Sequence, residues 1–164
     1  MALEQEFIRL IKENERIIQK ICNLYCSEAE DREDLYQDII DQLWEAYPQF
    51  YYQAKASTWL YRIALNTAIS RYRKVKKQPR RESISDRVVG TFSPIEDSRN
   101  EDARLLHAAI ESLSKVEKAI TLLYMEGAKY QQIAEIIGIS ESNVGFKLNR
   151  IKKKLQNKLK VEIS

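Results

Sequence analysis

Apolar residues return every three or four positions along most of this chain, a period that suits helices and excludes half-buried strands. It runs through Phe7 to Tyr25, Asp31 to Tyr47, Ser57 to Val75, Asp102 to Ser112, Lys115 to Met125, Tyr130 to Ile137 and Glu141 to Leu159. β-Branched residues are scattered among helix formers, and only 4 Gly and 3 Pro punctuate the pattern, so strand signals are nearly absent. The expected fold is all-α. From Gln78 to Asn100 the period is lost and Ser, Pro, Gly and Asp accumulate. That break predicts two small helical domains, residues 1–80 and 102–164, joined by a flexible linker over 81–101.

Charge divides along the same lines. Met1 to Pro48 carries 12 acids against 5 bases, whereas Gln49 to Arg81 carries 9 bases and no acid. Glu82 to Asp102 is net −4, and 7 bases without an acid lie between Ser142 and Lys160. The net charge of +3 hides this segregation. Basic blocks suit a polyanion and an acidic block suits a basic protein surface, so more than one partner is expected. Any single run of charge is ordinarily a solvated helix face; two acid-free blocks interleaved with aromatic residues count against that.

In "YQQIAEIIGISESNVGFKLNRIKKKL" a short helix, Tyr130 to Ile137, stops at Gly138, a residue suited to the left-handed conformation of a helix end. Ser140 follows as an N-cap, with Glu141 at the positive end of the next helix. This is the spacing of a helix-turn-helix, whose second helix enters the DNA major groove. With Val144 as origin, Leu148, Ile151 and Leu155 fall within about 40° of it and form the buried face. The opposite side carries Asn143, Lys147, Arg150 and Lys154, able to reach phosphates and base edges. Phe146 also points away from the core, towards DNA or towards another segment. Gly145 beside it costs about 1 kcal/mol of helix propensity relative to Ala.

The N-terminal half holds two informative helices. "DREDLYQDIIDQLWEAY" sets Leu35, Tyr36, Ile39 and Leu43 on one side and Asp34, Asp38, Asp41 and Glu45 in a stripe on another. Four carboxylates with no base between them repel each other, and a basic partner would turn that cost into attraction. "STWLYRIALNTAISRYRKV" gathers Leu60, Ala64, Leu65, Ala68, Tyr72 and Val75 into an apolar arc. Trp59 falls outside it, with Arg62, Ile63, Asn66, Ser70 and Arg73. An indole among cations and an amide is either a platform for unstacked bases, at about 1–3 kcal/mol per stack, or a cover for the neighbouring loop Phe50 to Ala56.

Enzymatic chemistry finds no support. The chain has one histidine, His107, no paired carboxylates with a pocket, no phosphate-binding glycine loop and no metal cluster. Cys22 and Cys26, spaced i, i+4, read as semi-buried helix residues, since a metal site needs about four ligands. No cofactor and no metal are expected. No run of about 18 apolar residues occurs, and the first residues mix both charges, so the expectation is a cytoplasmic protein without membrane insertion.

The segments "DREDLYQDIIDQLWEAYPQF", "STWLYRIALNTAISRYRK" and "YQQIAEIIGISESNVGFKLNRIKKKL", in this order around a variable linker, resemble the extracytoplasmic-function (ECF) sigma factors, the small two-domain group of bacterial RNA polymerase initiation factors. The resemblance covers most of the chain. It implies that Asp34, Gln37, Asp38, Asp41 and Trp44 dock on the clamp coiled coil of the polymerase core. It implies that Trp59, Arg62, Ile63 and Asn66 face the −10 element, which is opened and one non-template base extruded at a cost of a few kcal/mol. Arg71, Arg73, Lys74, Lys76 and Lys77 would lie on the DNA backbone. The C-terminal domain would read the −35 duplex through Ser142, Asn143, Phe146, Lys147, Arg150 and Lys154 and meet the polymerase flap. An anti-sigma factor is a family partner that no residue here identifies.

Two departures stand out. Ala56 occupies a position three before the Trp where the family commonly has an aromatic residue, for which Tyr51 or Tyr52 would substitute. Gly145 and Phe146 replace a frequent basic residue and Ser, so the −35 sequence is not transferable from relatives. The competing reading is a stand-alone helix-turn-helix regulator with an N-terminal dimerisation or sensor domain.

Overall fold

The computed structural model describes residues 2–50, 55–71 and 101–163, and these divide between two compact units, within Met1–Ile95 and Glu96–Ser164. Every regular element among the described residues is helical. In the first unit α1 spans Ala2–Glu13, α2 Glu15–Tyr25, α3 Ala29–Ala46 and α4 Ala56–Ser70. In the second, α5 spans Glu101–Glu111, α6 Lys115–Met125, α7 Tyr130–Ile137 and α8 Glu141–Ile163.

One periodic stretch is two helices. The helix expected from Phe7 to Tyr25 is interrupted at Asn14, whose side-chain amide donates to the Leu10 carbonyl at 2.8 Å. Its backbone leaves the helical region there, with φ −120° and ψ 19°. Such local competition for a carbonyl is how Asn ends a turn. At the far end of α3, Pro48 tightens the chain into a 3₁₀ turn, Tyr47–Gln49, which sends Phe50 back towards the core.

The core of the first unit is built by all four helices, α1 to α4. Phe7, Ile11, Ile18, Ile21, Leu35, Ile39, Ile40, Leu43, Leu60 and Leu65 are fully buried. Fully burying such a side chain contributes roughly 1.5–3 kcal/mol. The four residues assigned to the buried side of α3 are indeed inside, as are Leu60, Ala64, Leu65 and Ala68 on α4; Tyr72 and Val75 lie outside the described residues. Cys22 is buried and Cys26 ends α2, both as free thiols. Burial, followed by the mutual effect of the pair, pushes the Cys22 thiol far up; burial raises Cys26 too. Neither is poised as a thiolate.

The second unit is knit by α8, which packs against α5, α6 and α7. Val144, Leu148 and Ile151 are buried on α8, as are Ile120, Leu123 and Ile133 on the helices it packs against. Leu155, expected on the same face, is half-buried. Ser114 caps α6 reciprocally: its Oγ accepts from the Glu117 N–H at 3.2 Å while Glu117 Oε1 accepts from the Ser114 N–H at 2.9 Å. Gly138 takes φ +87°, with its N–H on the Ala134 carbonyl at 2.8 Å. Ser140 Oγ then accepts from the Asn143 N–H at 3.1 Å. The turn between α7 and α8 is thus fixed at both ends, and α8 leaves it in the posture of a helix-turn-helix.

Candidate functional site

The acidic stripe of α3 and the polar side of α4 meet along a groove of about 540 Å³, lined by Asp38, Asp41, Gln42, Ile63, Asn66, Thr67, Ser70 and Arg71. Asn66 and Ser70 are exposed, and Arg62 and Ile63 are half-buried. Thr67 belongs to the helix as well as the groove, since its Oγ1 donates to the Ile63 carbonyl at 2.8 Å. Ser70 is among the residues expected on this face of α4, four positions after Asn66; Gln42 and Thr67 were not singled out from sequence, and nothing but their nearness to Asp41 and Asn66 in the chain marks them.

The stripe is not bare. Arg71, which ends α4, brings its Nε to 3.5 Å from Asp38 Oδ2 and its Nη2 to 3.9 Å from Asp34 Oδ2, while Nη1 donates to the Asp31 carbonyl at 3.1 Å. The base that the stretch from Asp34 to Glu45 lacks is supplied from the end of another helix. Gln37 is half-buried, and its buried Oε1 accepts no hydrogen bond. Trp44 lies 4.9 Å from the Phe7 ring and stacks at 6.4 Å over Tyr47, so its indole is partly committed to the fold.

Trp59 sits differently from its place on the helical wheel. It is buried, 9% exposed, and lies flat on Phe50 with centroids 4.4 Å apart and planes at 15°, with Tyr47 tilted against it at 6.2 Å. The 3₁₀ turn after α3 delivers Phe50 and Tyr47 to a side of α4 that the wheel, which sees one helix alone, counts as outer. In this conformation the faces of the indole are spent on packing. Arg73, Lys74, Lys76 and Lys77, and with them Tyr51 and Tyr52, lie outside the described residues.

On α8, Ser142, Asn143 and Arg150 are exposed, Lys147 is half-buried, and Phe146 stands 69% exposed. These share one side of the helix. Lys154 does not join them as an open cation: its Nζ is 2.7 Å from Glu117 Oε2. Against a desolvation that raises it, the hydrogen bonds from Lys154 and from the Ser114 backbone hold the Glu117 carboxyl below its ordinary range. On the flank of α8, Tyr130 approaches Gly145, where a Cβ would stand 3.6 Å from the tyrosine ring. Lys152 Nζ lies 4.9 Å from the Tyr124 ring centroid. Among the described residues no three His, Cys, Asp or Glu side chains are placed to hold a metal ion, and no helix is long and apolar enough to cross a membrane.

A helical unit with an acidic stripe, followed by a helix-turn-helix with an exposed Asn, Phe and Arg row, has the architecture of a DNA-binding transcription protein. Comparison with known families resolves which. Residues 10–78 match the model of sigma-70 region 2 and residues 103–155 that of sigma-70 region 4. The chain belongs to the ECF sigma factors, transcription initiation factors that direct bacterial RNA polymerase to promoters. The N-terminal half is thus a sigma region and not the dimerisation or sensor domain of a stand-alone regulator.

Among its relatives is the ECF RNA polymerase sigma factor SigM of Mycobacterium tuberculosis, 24% identical over 91% of this chain and 74% of that protein. The ECF RNA polymerase sigma-E factor of Haemophilus influenzae is 28% identical over 79% of this chain and 75% of its own. In fold the chain is similar to the sigma factor RpoE solved in complex with the anti-sigma factor NepR from Bartonella quintana, with a TM-score of 0.68, 22% identity and 98% of both chains covered. It is similar also to CnrH, solved with the cytosolic domain of CnrY, at a TM-score of 0.62, 18% identity and coverage of 98% of this chain and 96% of that one.

Proposed function

We propose that residues 1–80 dock the chain on the polymerase core and open the −10 element, and that residues 102–164 read the −35 duplex. The observation that carries this is the row of Asn143, Phe146 and Arg150, all exposed on α8. Asn and Arg are the side chains that read adenine and guanine edges, and an apolar ring suits the thymine methyl. Ser142 and Lys147 add phosphate contacts. Lys154, engaged by Glu117, serves mainly to fix α8 against α6.

In the N-terminal half, Asp34, Gln37, Asp38, Asp41 and Trp44 form the core-binding surface. The buried, donor-less oxygen of Gln37 favours an incoming donor there. Ile63 and Asn66 meet the separated −10 strand, with Arg62 beside them and Arg73 and Lys74 on its backbone. Trp59 supports that surface from beneath. The chain works in the cytoplasm, where polymerase and promoter are, and an anti-sigma protein is a fitting regulator, as for the sigma factors solved with NepR and CnrY.

The test is capture of purified core by the tagged chain. Asp34→Lys with Asp38→Lys should weaken capture at least tenfold without unfolding the chain, because like charge across such an interface costs several kcal/mol. Undiminished capture would remove the α3 stripe from the interface.

A further inference from the structure

We infer that Arg71 is a positioning residue whose cation passes between the two surfaces of the N-terminal unit: the α3 stripe holds it in the free chain, and a DNA phosphate takes it once a cationic partner occupies that stripe. The inference rests on the proposed function, in which the stripe meets polymerase and α4 meets the separated strand.

Three features support it. The two carboxylate contacts, 3.5 Å to Asp38 and 3.9 Å to Asp34, are loose, and only the Asp31 carbonyl at 3.1 Å is a close hydrogen bond. Ion pairs of this kind at a surface are weak and screened by salt, so exchanging them costs little. Second, Arg71 stands at the end of α4 in the same groove as Ile63 and Asn66, within the block from Gln49 to Arg81 that has no acid of its own. Third, Asp34 and Asp38 are the acids that a basic surface would neutralise. Such a surface removes the attraction holding the guanidinium, and a phosphate is then its best remaining partner. Core docking would thereby raise affinity for single-stranded DNA with no change in fold.

The probe is a short fluorescent oligo(dT), read by anisotropy over a range of salt, with the full-length chain alone and bound to core. Asp34→Asn with Asp38→Asn should mimic docking in the free chain. One added phosphate contact steepens the log affinity against log salt plot by about 0.7 and raises affinity about fivefold at ~0.1 M salt. Adding Arg71→Gln to that pair should abolish both gains. In the complex with core, Arg71→Gln alone should make the slope shallower by about 0.7. The slope does not depend on the folded fraction, so a merely destabilising effect leaves it alone.

Gains that persist with Arg71→Gln would reflect lost negative charge alone and overturn the inference. So would an unaltered slope for Arg71→Gln in a core complex that binds oligo(dT) normally. A native core complex that does not bind oligo(dT) at all would overturn the inference together with the −10 assignment.

Discussion

Replacing Gly145 by alanine should stabilise the C-terminal unit and weaken its hold on the −35 duplex. Gly145 lies in the first turns of α8, a helix 23 residues long. A Cβ at this position would stand 3.6 Å from Tyr130 Cε2 with nothing else within 4 Å, an ordinary contact. Neither clash nor cavity offsets the gain in helix propensity, which is about 1 kcal/mol. For a unit of this size that raises Tm by about 4–8 °C. Hydrogen exchange on the full-length chain resolves the two halves: amides of α6 to α8 should exchange about fivefold more slowly, and those of α2 to α4 unchanged. Titration of a −35 duplex by the polymerase complex should show weaker binding, because the added methyl group holds the backbone away from the DNA. A stabilised variant with undiminished −35 binding would refute the claim that Gly145 serves close approach. Faster exchange would refute the packing of Tyr130 on α8.

Three further outcomes follow from the geometry. Trp59→Ala removes an indole stacked on Phe50 and should cost about 3–5 kcal/mol in denaturant unfolding, whereas the exposed Asn66→Ala should stay within about 0.5 kcal/mol and still lose permanganate reactivity of the −10 thymines. Phe146→Ser should leave −35 affinity within a few fold yet relax preference for thymine, measured by binding to a library of −35 duplexes. Glu117, its carboxyl held below the ordinary 4.5, contributes stability that is complete above that value and lost as pH falls through the lowered one. Glu117→Gln should therefore lower Tm at pH 7, and the difference should shrink as pH falls below 4.5, by thermal unfolding of the full chain.

Much of this was legible in the sequence because helical period and caps are local. The buried sides of α3, α4 and α8, the left-handed Gly138 and the Ser140 cap all follow from residues within a few positions of each other. The Asn14 break escaped notice because the apolar period continues across it. Counting around single helices sets Trp59 and Lys154 on outer faces, and the family resemblance alone sets Arg71 on the DNA backbone, yet each is fixed by something outside its own helix. A 3₁₀ turn brings Phe50 under Trp59, the Asp31 carbonyl lies 40 residues before Arg71, and Glu117 lies 37 before Lys154. Lys154, which the wheel leaves as a cation towards DNA, is paired with the chain's own Glu117. Asn66 on α4 and Asn143, Phe146 and Arg150 on α8 are exposed, as counting around each helix alone predicts.

The central claim, that this chain carries polymerase to promoters and opens them, is tested most directly by run-off transcription with purified bacterial core on fragmented genomic DNA. The account predicts discrete transcripts that require both core and this chain, with start sites preceded by shared −35 and −10 sequences and lost with Asp34→Lys and Asp38→Lys. Absence of any chain-dependent transcript, with the chain alone binding a palindromic duplex tightly, would contradict it.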